Sequence, residues 1–166
     1  DEFRYPAHLF KDHFKRVRDA GLHVTIHAGE ADGPQSVWSA IEDLGAERIG
    51  HGFRAIEDPV LVDHLIKHEI GLEVCPTSNL HTSTVRSYAL HPVKALADRG
   101  VKFCLNTDDP GISAIDIGHE YAVAAPATGL TAAQVHQSQL DGFEMAFLGA
   151  QEKTELQDKV AQRRTL

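Results

Sequence analysis

The chain has 166 residues, 42% of them hydrophobic and 24% charged, and 24 acidic side chains against 16 basic ones give a net charge of −8. That length builds one domain (1–166) with a real core, and the composition excludes a disordered or fibrous chain. An acidic balance argues against a nucleic-acid partner, which needs clustered Lys and Arg; the one dense basic stretch, Lys11, Lys15, Arg16 and Arg18, is broken by Asp12 and Asp19 and reads as a solvated helix face.

Taken in chain order, helical and strand patterns alternate. Leu9, Phe10, Phe14 and Val17 give residues 6–20 a helical spacing that Gly21 stops, and residues 22–26 form a short β-branched strand. Pro34 opens a helix with Val37, Trp38, Ile41 and Leu44 on one face, residues 48–50 are a brief strand, and Asp58-Pro59 caps the next helix. Residues 71–75 are the third strand, and the Ser-, Thr- and Asn-rich stretch 76–85 reads as loop. His91-Pro92 starts a helix that Gly100 stops, and residues 101–105 are the fourth strand. After Pro110-Gly111 the remainder is helical, with Thr131 as an N-cap and residues 162–166 as a frayed end. Strands alternating with helices imply an α/β fold with a parallel sheet and right-handed crossovers.

Cys75 and Cys104 are the only cysteines and sit in apolar runs, so they read as buried small hydrophobes in a reducing compartment. No apolar run approaches the ~18 residues of a spanning helix, and the expectation is a cytoplasmic protein with no membrane partner.

Each strand runs into an abrupt polar cluster: His27-Ala28-Gly29-Glu30, Gly50-His51-Gly52, Cys75-Pro76-Thr77-Ser78-Asn79, and Asn106-Thr107-Asp108-Asp109-Pro110-Gly111. In a parallel sheet these ends share one rim, where α/β folds place active sites. Singly, each residue also has a structural reading. His27 could be a hydrogen-bonded strand-end residue, Asp108-Asp109 a turn with a cap, and Glu30 a solvated carboxylate. Jointly, His and Asp ligands suit zinc, whose bound water ionises near neutral pH, and a nearby Glu supplies a proton donor or acceptor. No CxxC or His-Glu-x-x-His occurs, and His8, His13, His64, His68, His81, His91, His119 and His136 fall on helices or surface loops with no assigned chemistry.

These four ordered clusters resemble the signature of the adenosine deaminases over nearly the whole chain, from Asp1-Glu2 to about Val160, and Thr77-Ser78-Asn79 with Thr82-Ser83-Thr84-Val85 is similar to the bacterial branch. The resemblance implies a (β/α)8 barrel of the metal-dependent hydrolase type, of which this chain supplies about the last four βα units plus C-terminal helices. It implies that His27 and Asp108 are zinc ligands and that Glu30 protonates purine N1. It further implies that His51 orients the zinc-bound water and that Asp109 donates a hydrogen bond to N7. The implied reaction is hydrolytic deamination of adenosine and deoxyadenosine to inosine and ammonia in purine salvage, acting on a small-molecule nucleoside. The alternatives are an adenine or other purine deaminase of the same superfamily, or a non-catalytic half-barrel that binds or assembles with another chain.

The sequence departs from the family in having no His-x-His, the source of two further zinc ligands, and in beginning just after the position of a glycine that contacts purine N3. A closed barrel needs roughly 250 residues. The expectation is therefore the C-terminal half of a longer deaminase, inactive without the missing half-barrel, with exposed strand edges.

Overall fold

Alternate residues of four short strands are apolar and buried, and that alternation assembles the sheet. A computed structural model describes residues 2–163; Asp1 and 164–166 lie outside them, so of the expected frayed end only residues 162–163 are described, and they close a helix. The strands are β1 (Thr25–Ala28), β2 (Arg48–His51), β3 (Gly71–Val74) and β4 (Phe103–Leu105), all parallel in the order β1-β2-β3-β4. The helices are α1 (Lys11–Asp19), α2 (Pro34–Glu42), α3 (Pro59–Lys67), α4 (Pro76–His81), α5 (Val93–Arg99), α6 (Pro110–Ser113), α7 (Ile117–His119), α8 (Ala125–Ala127), α9 (Ala132–Met145) and α10 (Ala150–Arg163).

On the outer face Ile49, Leu72, Val74, Phe103 and Leu105 are buried against Val37 and Ala40 of α2, Leu61, Val62 and Leu65 of α3, and Val93 and Leu96 of α5. The other face is polar. Thr25 Oγ1 donates to Glu73 Oε2 at 3.0 Å, and the Arg48 guanidinium meets Glu73 Oε1 at 2.8 Å. An all-parallel sheet with helices on one face and a polar interior is an arc of a barrel wall.

Three expectations shift. The first strand starts at Thr25, later than its apolar run suggests, because its register is set by β2: Glu47 Oε1 accepts from the Val24 amide at 3.0 Å and Thr25 pairs with Arg48. The last strand likewise begins at Phe103. The stretch 76–85 is no plain loop, since its first six residues form α4. Pro76 sits at the first helical position, where its fixed φ suits a helix, and Thr77, Ser78 and Asn79 are buried with their polar atoms satisfied by tertiary partners.

Helix α9 begins with the expected cap, a reciprocal box in which Thr131 Oγ1 accepts from the Gln134 amide and Gln134 Oε1 from the Thr131 amide. It lies along β4, where Asp141 Oδ2 accepts from the Phe103 amide at 3.2 Å and so covers part of a strand edge that the sequence left exposed. Its C-terminal end crosses the start of the strands. Arg48 Nη1 donates to Met145 O at 2.9 Å, and the guanidinium lies 3.6 Å from the Phe147 ring centroid, which stacks on His23. Met145 occupies the space that a Cβ on Gly71 would need.

Leu72, fully buried on a central strand, is the test of this layer. Leu72→Ala is expected to lower the free energy of unfolding by about 2–5 kcal/mol, read from the urea midpoint of the intact protein.

Candidate active site

The strand ends bring the polar clusters onto one rim. His27 lies at the end of β1, and its ring occupies the space beside Gly50 of β2: a Cβ at Gly50 would stand 2.5 Å from His27 Cδ2. Gly50 is thus required by the His27 ring. Strict alternation would send His51, next along β2, to the outer face. It adopts a left-handed φ of 61°, which breaks the alternation, and its ring sits edge-on to His27 at 4.8 Å between centroids. Asp108 shares that left-handed φ of 61°. Glu69, Ser83 and Ala114 also take left-handed backbone, so at His51 and Asp108 its significance lies in where it aims the two side chains.

Asn79 of α4 is the hub. Its Nδ2 donates to Glu30 Oε1 at 2.9 Å and faces His51 Nδ1 at 3.2 Å. Thr82 Oγ1 lies 3.3 Å from Glu30 Oε1 and 3.0 Å from the Ser78 carbonyl, and its one proton serves one of the two. His51 Nε2 lies 3.5 Å from Glu30 Oε2 and 3.9 Å from Asp108 Oδ2, and Ser78 Oγ donates to Asp108 Oδ2 at 2.6 Å. Four of the residues expected from the sequence, His27, Glu30, His51 and Asp108, therefore come together. Asp109 stands one residue further on, where its Oδ1 accepts from the Ile112 amide at 3.1 Å and caps α6. The residue is exposed to solvent.

Sequence reading missed Ser78, Asn79 and Thr82 as supports, because their composition read as loop. It also passed over His91, which is buried at 4% exposure and reaches Asn79 Oδ1 at 3.2 Å. The one local signal for His91 is its place before Pro92 at a helix start, where a ring nitrogen can accept from an orphan amide.

Burial sets the charge states. It pushes the His51 pKa below the ordinary imidazole value, with His27 adding to the effect and Glu30 and Asp108 opposing it. Burial pushes His91 down to about 4, with the nearby His51 a lesser cause. The Cys75 thiol is pushed up by burial and then by Asp108, so it is neutral and no nucleophile.

A cavity of about 250 Å³ opens between His27, Gly50, His51, Glu73, Asn106 and Asp108. One ligand atom from each of His27, His51 and Asp108 lies within 4.8 Å of the others. Imidazole nitrogen with carboxylate oxygen is a donor set that suits zinc, so the residues fit a divalent metal.

The adenosine deaminase family model matches residues 1–163 of this chain. The chain belongs to the adenosine deaminase family. It is 56% identical over 161 residues to an adenosine deaminase of Escherichia coli O157:H7, covering 97% of this chain and 48% of that protein. It therefore spans about half the length of the curated relatives it matches. Among solved structures it superposes with a TM-score of 0.88 on an adenine deaminase from Arthrobacter aurescens, at 27% identity over 97% of this chain and 49% of the other. A Burkholderia ambifaria amidohydrolase with bound Zn gives 0.83, at 25% identity over 95% of this chain and 44% of the other. The fold of this family member is accordingly part of a (β/α)8 barrel of the metal-dependent hydrolase type. Among the described residues no helix is long and apolar enough to cross a membrane.

Buried His91 makes the folded chain sensitive to acid. The unfolded chain binds a proton at this residue near its ordinary pKa, about 6.5, whereas the folded protein resists until about 4. Stability from this group is full above the upper value and lost as pH falls through the window, by on the order of 3 kcal/mol. Urea midpoints at pH 7.5, 5.5 and 4.5 are expected to fall more steeply for the wild-type protein than for His91→Gln, which does not titrate.

Proposed function

We propose that the protein is a zinc-dependent hydrolase that converts adenosine and 2′-deoxyadenosine to inosine and ammonia, and that this chain carries one part of its active-site rim. His27 and Asp108 would hold the zinc. The metal, when bound, would acidify a water near neutral pH and so supply the nucleophile. The relatives' additional length would supply further ligands and the groups that read the ribose. Cys75 and Cys104 are free, in keeping with the cytoplasmic location that belongs to this reading.

The observation that carries the proposal is a single side-chain amide tied to both Glu30 and His51, beside His27 and Asp108. A fold alone needs no such constellation. With Oε1 taken by Asn79, Glu30 has Oε2, 3.5 Å from His51 Nε2, from which to give a proton to purine N1. Protonation at N1 withdraws electron density from C6, and the oxygen nucleophile adds to that carbon. His51 holds the nucleophile by a hydrogen bond, and Asp109 engages N7 with the oxygen that does not cap α6. The C6–N bond then breaks, the amine leaves as ammonia, and the oxygen remains on C6. Water in and ammonia out balance the conversion.

A second reading has an observation of its own: the superposition on a structure described as an adenine deaminase. Initial rates on adenosine, deoxyadenosine, adenine and AMP separate the two. Preference for adenosine supports the first, preference for adenine the second, and no turnover of any purine by the intact protein would leave only a binding or assembly role.

Two substitutions assign the parts. In the intact protein Glu30→Gln is expected to lower turnover by a factor on the order of 10³ or more with the zinc content unchanged; full activity in that variant refutes the proton-donor role. Asp108→Ala is expected to lose zinc, as measured by elemental analysis, and an unchanged stoichiometry refutes its role as a ligand.

A further inference from the structure

Hydrogen-bond direction around Asn79 can be read from one group that has no freedom. The Val93 amide, first in α5, can only donate, and it donates to His91 Nδ1 at 3.0 Å. That nitrogen therefore carries no proton, and the proton of the neutral ring is on Nε2. His91 Nε2–H faces Asn79 at 3.2 Å, so the atom receiving it is the amide oxygen, Oδ1. The amide NH2 must then point the other way, with one hydrogen on Glu30 Oε1 at 2.9 Å and the other on His51 Nδ1 at 3.2 Å. The reversed amide would set its oxygen against a Glu30 carboxylate oxygen and its NH2 against the His91 N–H. His51, Asn79 and His91 are 1%, 0% and 4% exposed, so water offers no alternative partners. The Asn79 main chain is held too, since its carbonyl accepts from the Val85 amide and from Thr84 Oγ1.

We propose that His91 and Asn79 are positioning residues: a buried chain running Val93, His91, Asn79 and His51 locks His51 in the tautomer with the proton on Nε2 and holds Glu30 in the same grip. His51 then presents an N–H to the centre of the site. With Nδ1 taken by Asn79 and Nε2 protonated, it is a hydrogen-bond donor to an oxygen there, and the metal is left to His27 and Asp108 of this chain. The inference deepens the deaminase reading and rests on it for the meaning of the site, although the tautomer itself does not.

The test uses the intact protein with 15N-labelled histidine rings, metal-free, near neutral pH. Long-range proton–nitrogen spectra are expected to show His51 with Nε2 protonated and Nδ1 bare. His91→Gln keeps a donor where Nε2 stands and is expected to preserve that pattern. His91→Asn keeps only the acceptor for Val93, and is expected to give a mixture of both His51 tautomers. In turnover, His91→Asn should lower kcat by on the order of tenfold with little change in KM, and His91→Gln should stay within about twofold of wild type. A purely structural role predicts equal damage from both, because both remove the same ring. A wild-type His51 protonated on Nδ1 overturns the proposal whether or not either variant folds. So does a His91→Asn protein with the wild-type tautomer and kcat. If the wild-type protein shows the expected tautomer yet turns over no purine, the deaminase reading fails and the positioning chain stands.

Discussion

The structure depends on the in-register parallel pairing of its four strands. Each has only three or four residues, so the ladder itself contributes little. Burial of Ile49, Leu72 and Phe103 beneath the helices is what holds the register, since a one-residue slip would send these side chains to the polar face. With the strands level, the loops that follow them start at the same height. Residues separated by dozens of positions then meet within a few ångströms. The chemistry of the rim is in this sense a product of the outer, apolar face of the sheet.

At the rim the balance of forces changes. His51 and Asp108 take left-handed backbone that ordinary residues avoid, at a cost on the order of 1 kcal/mol or more each. His51, Asn79 and His91 are out of water, where an unmatched donor or acceptor is expensive. The network tolerates both penalties because its members match one another, down to Ser78 on Asp108 and Asn79 on Glu30. Such a network is rigid: no member can turn without breaking the bond of the next. Glu30 and His51 come from different strand ends, yet one amide fixes their relative placement.

Much of this was legible in the sequence. The alternation of strand and helix, the cap at Asp58, the box at Thr131 and the clustering of His27, Glu30, His51 and Asp108 all followed from local pattern and strand direction. What local pattern could not reveal was partnership across the chain. Thr77, Ser78 and Asn79 look like loop because polarity usually means solvent, and here it means buried partners. Strand starts slipped by about two or three residues because Glu47 and the neighbouring strand set them, and the strand's own apolar run does not. His91 was invisible because its significance lies in two hydrogen bonds, one to a backbone amide two residues on and one to a side chain twelve residues back. The left-handed turn at His51 was equally hidden, since a histidine between two glycines does not declare which of the three will bear the unusual φ.

The contact between Arg48 and the end of α9 has a consequence for how the chain folds. Arg48 Nη1 and Met145 O are 97 residues apart in sequence, and the closing of so long a loop carries a large entropic cost before any contact rewards it. During synthesis β2 would leave the ribosome well before the residues that cover its start. In the interval Arg48 would have Glu73 as its nearby counter-ion but no aromatic ring above it. The contacts at the floor of the sheet thus wait until α9 has been made, whereas the rim residues, confined to the stretch 27–108, are all present earlier.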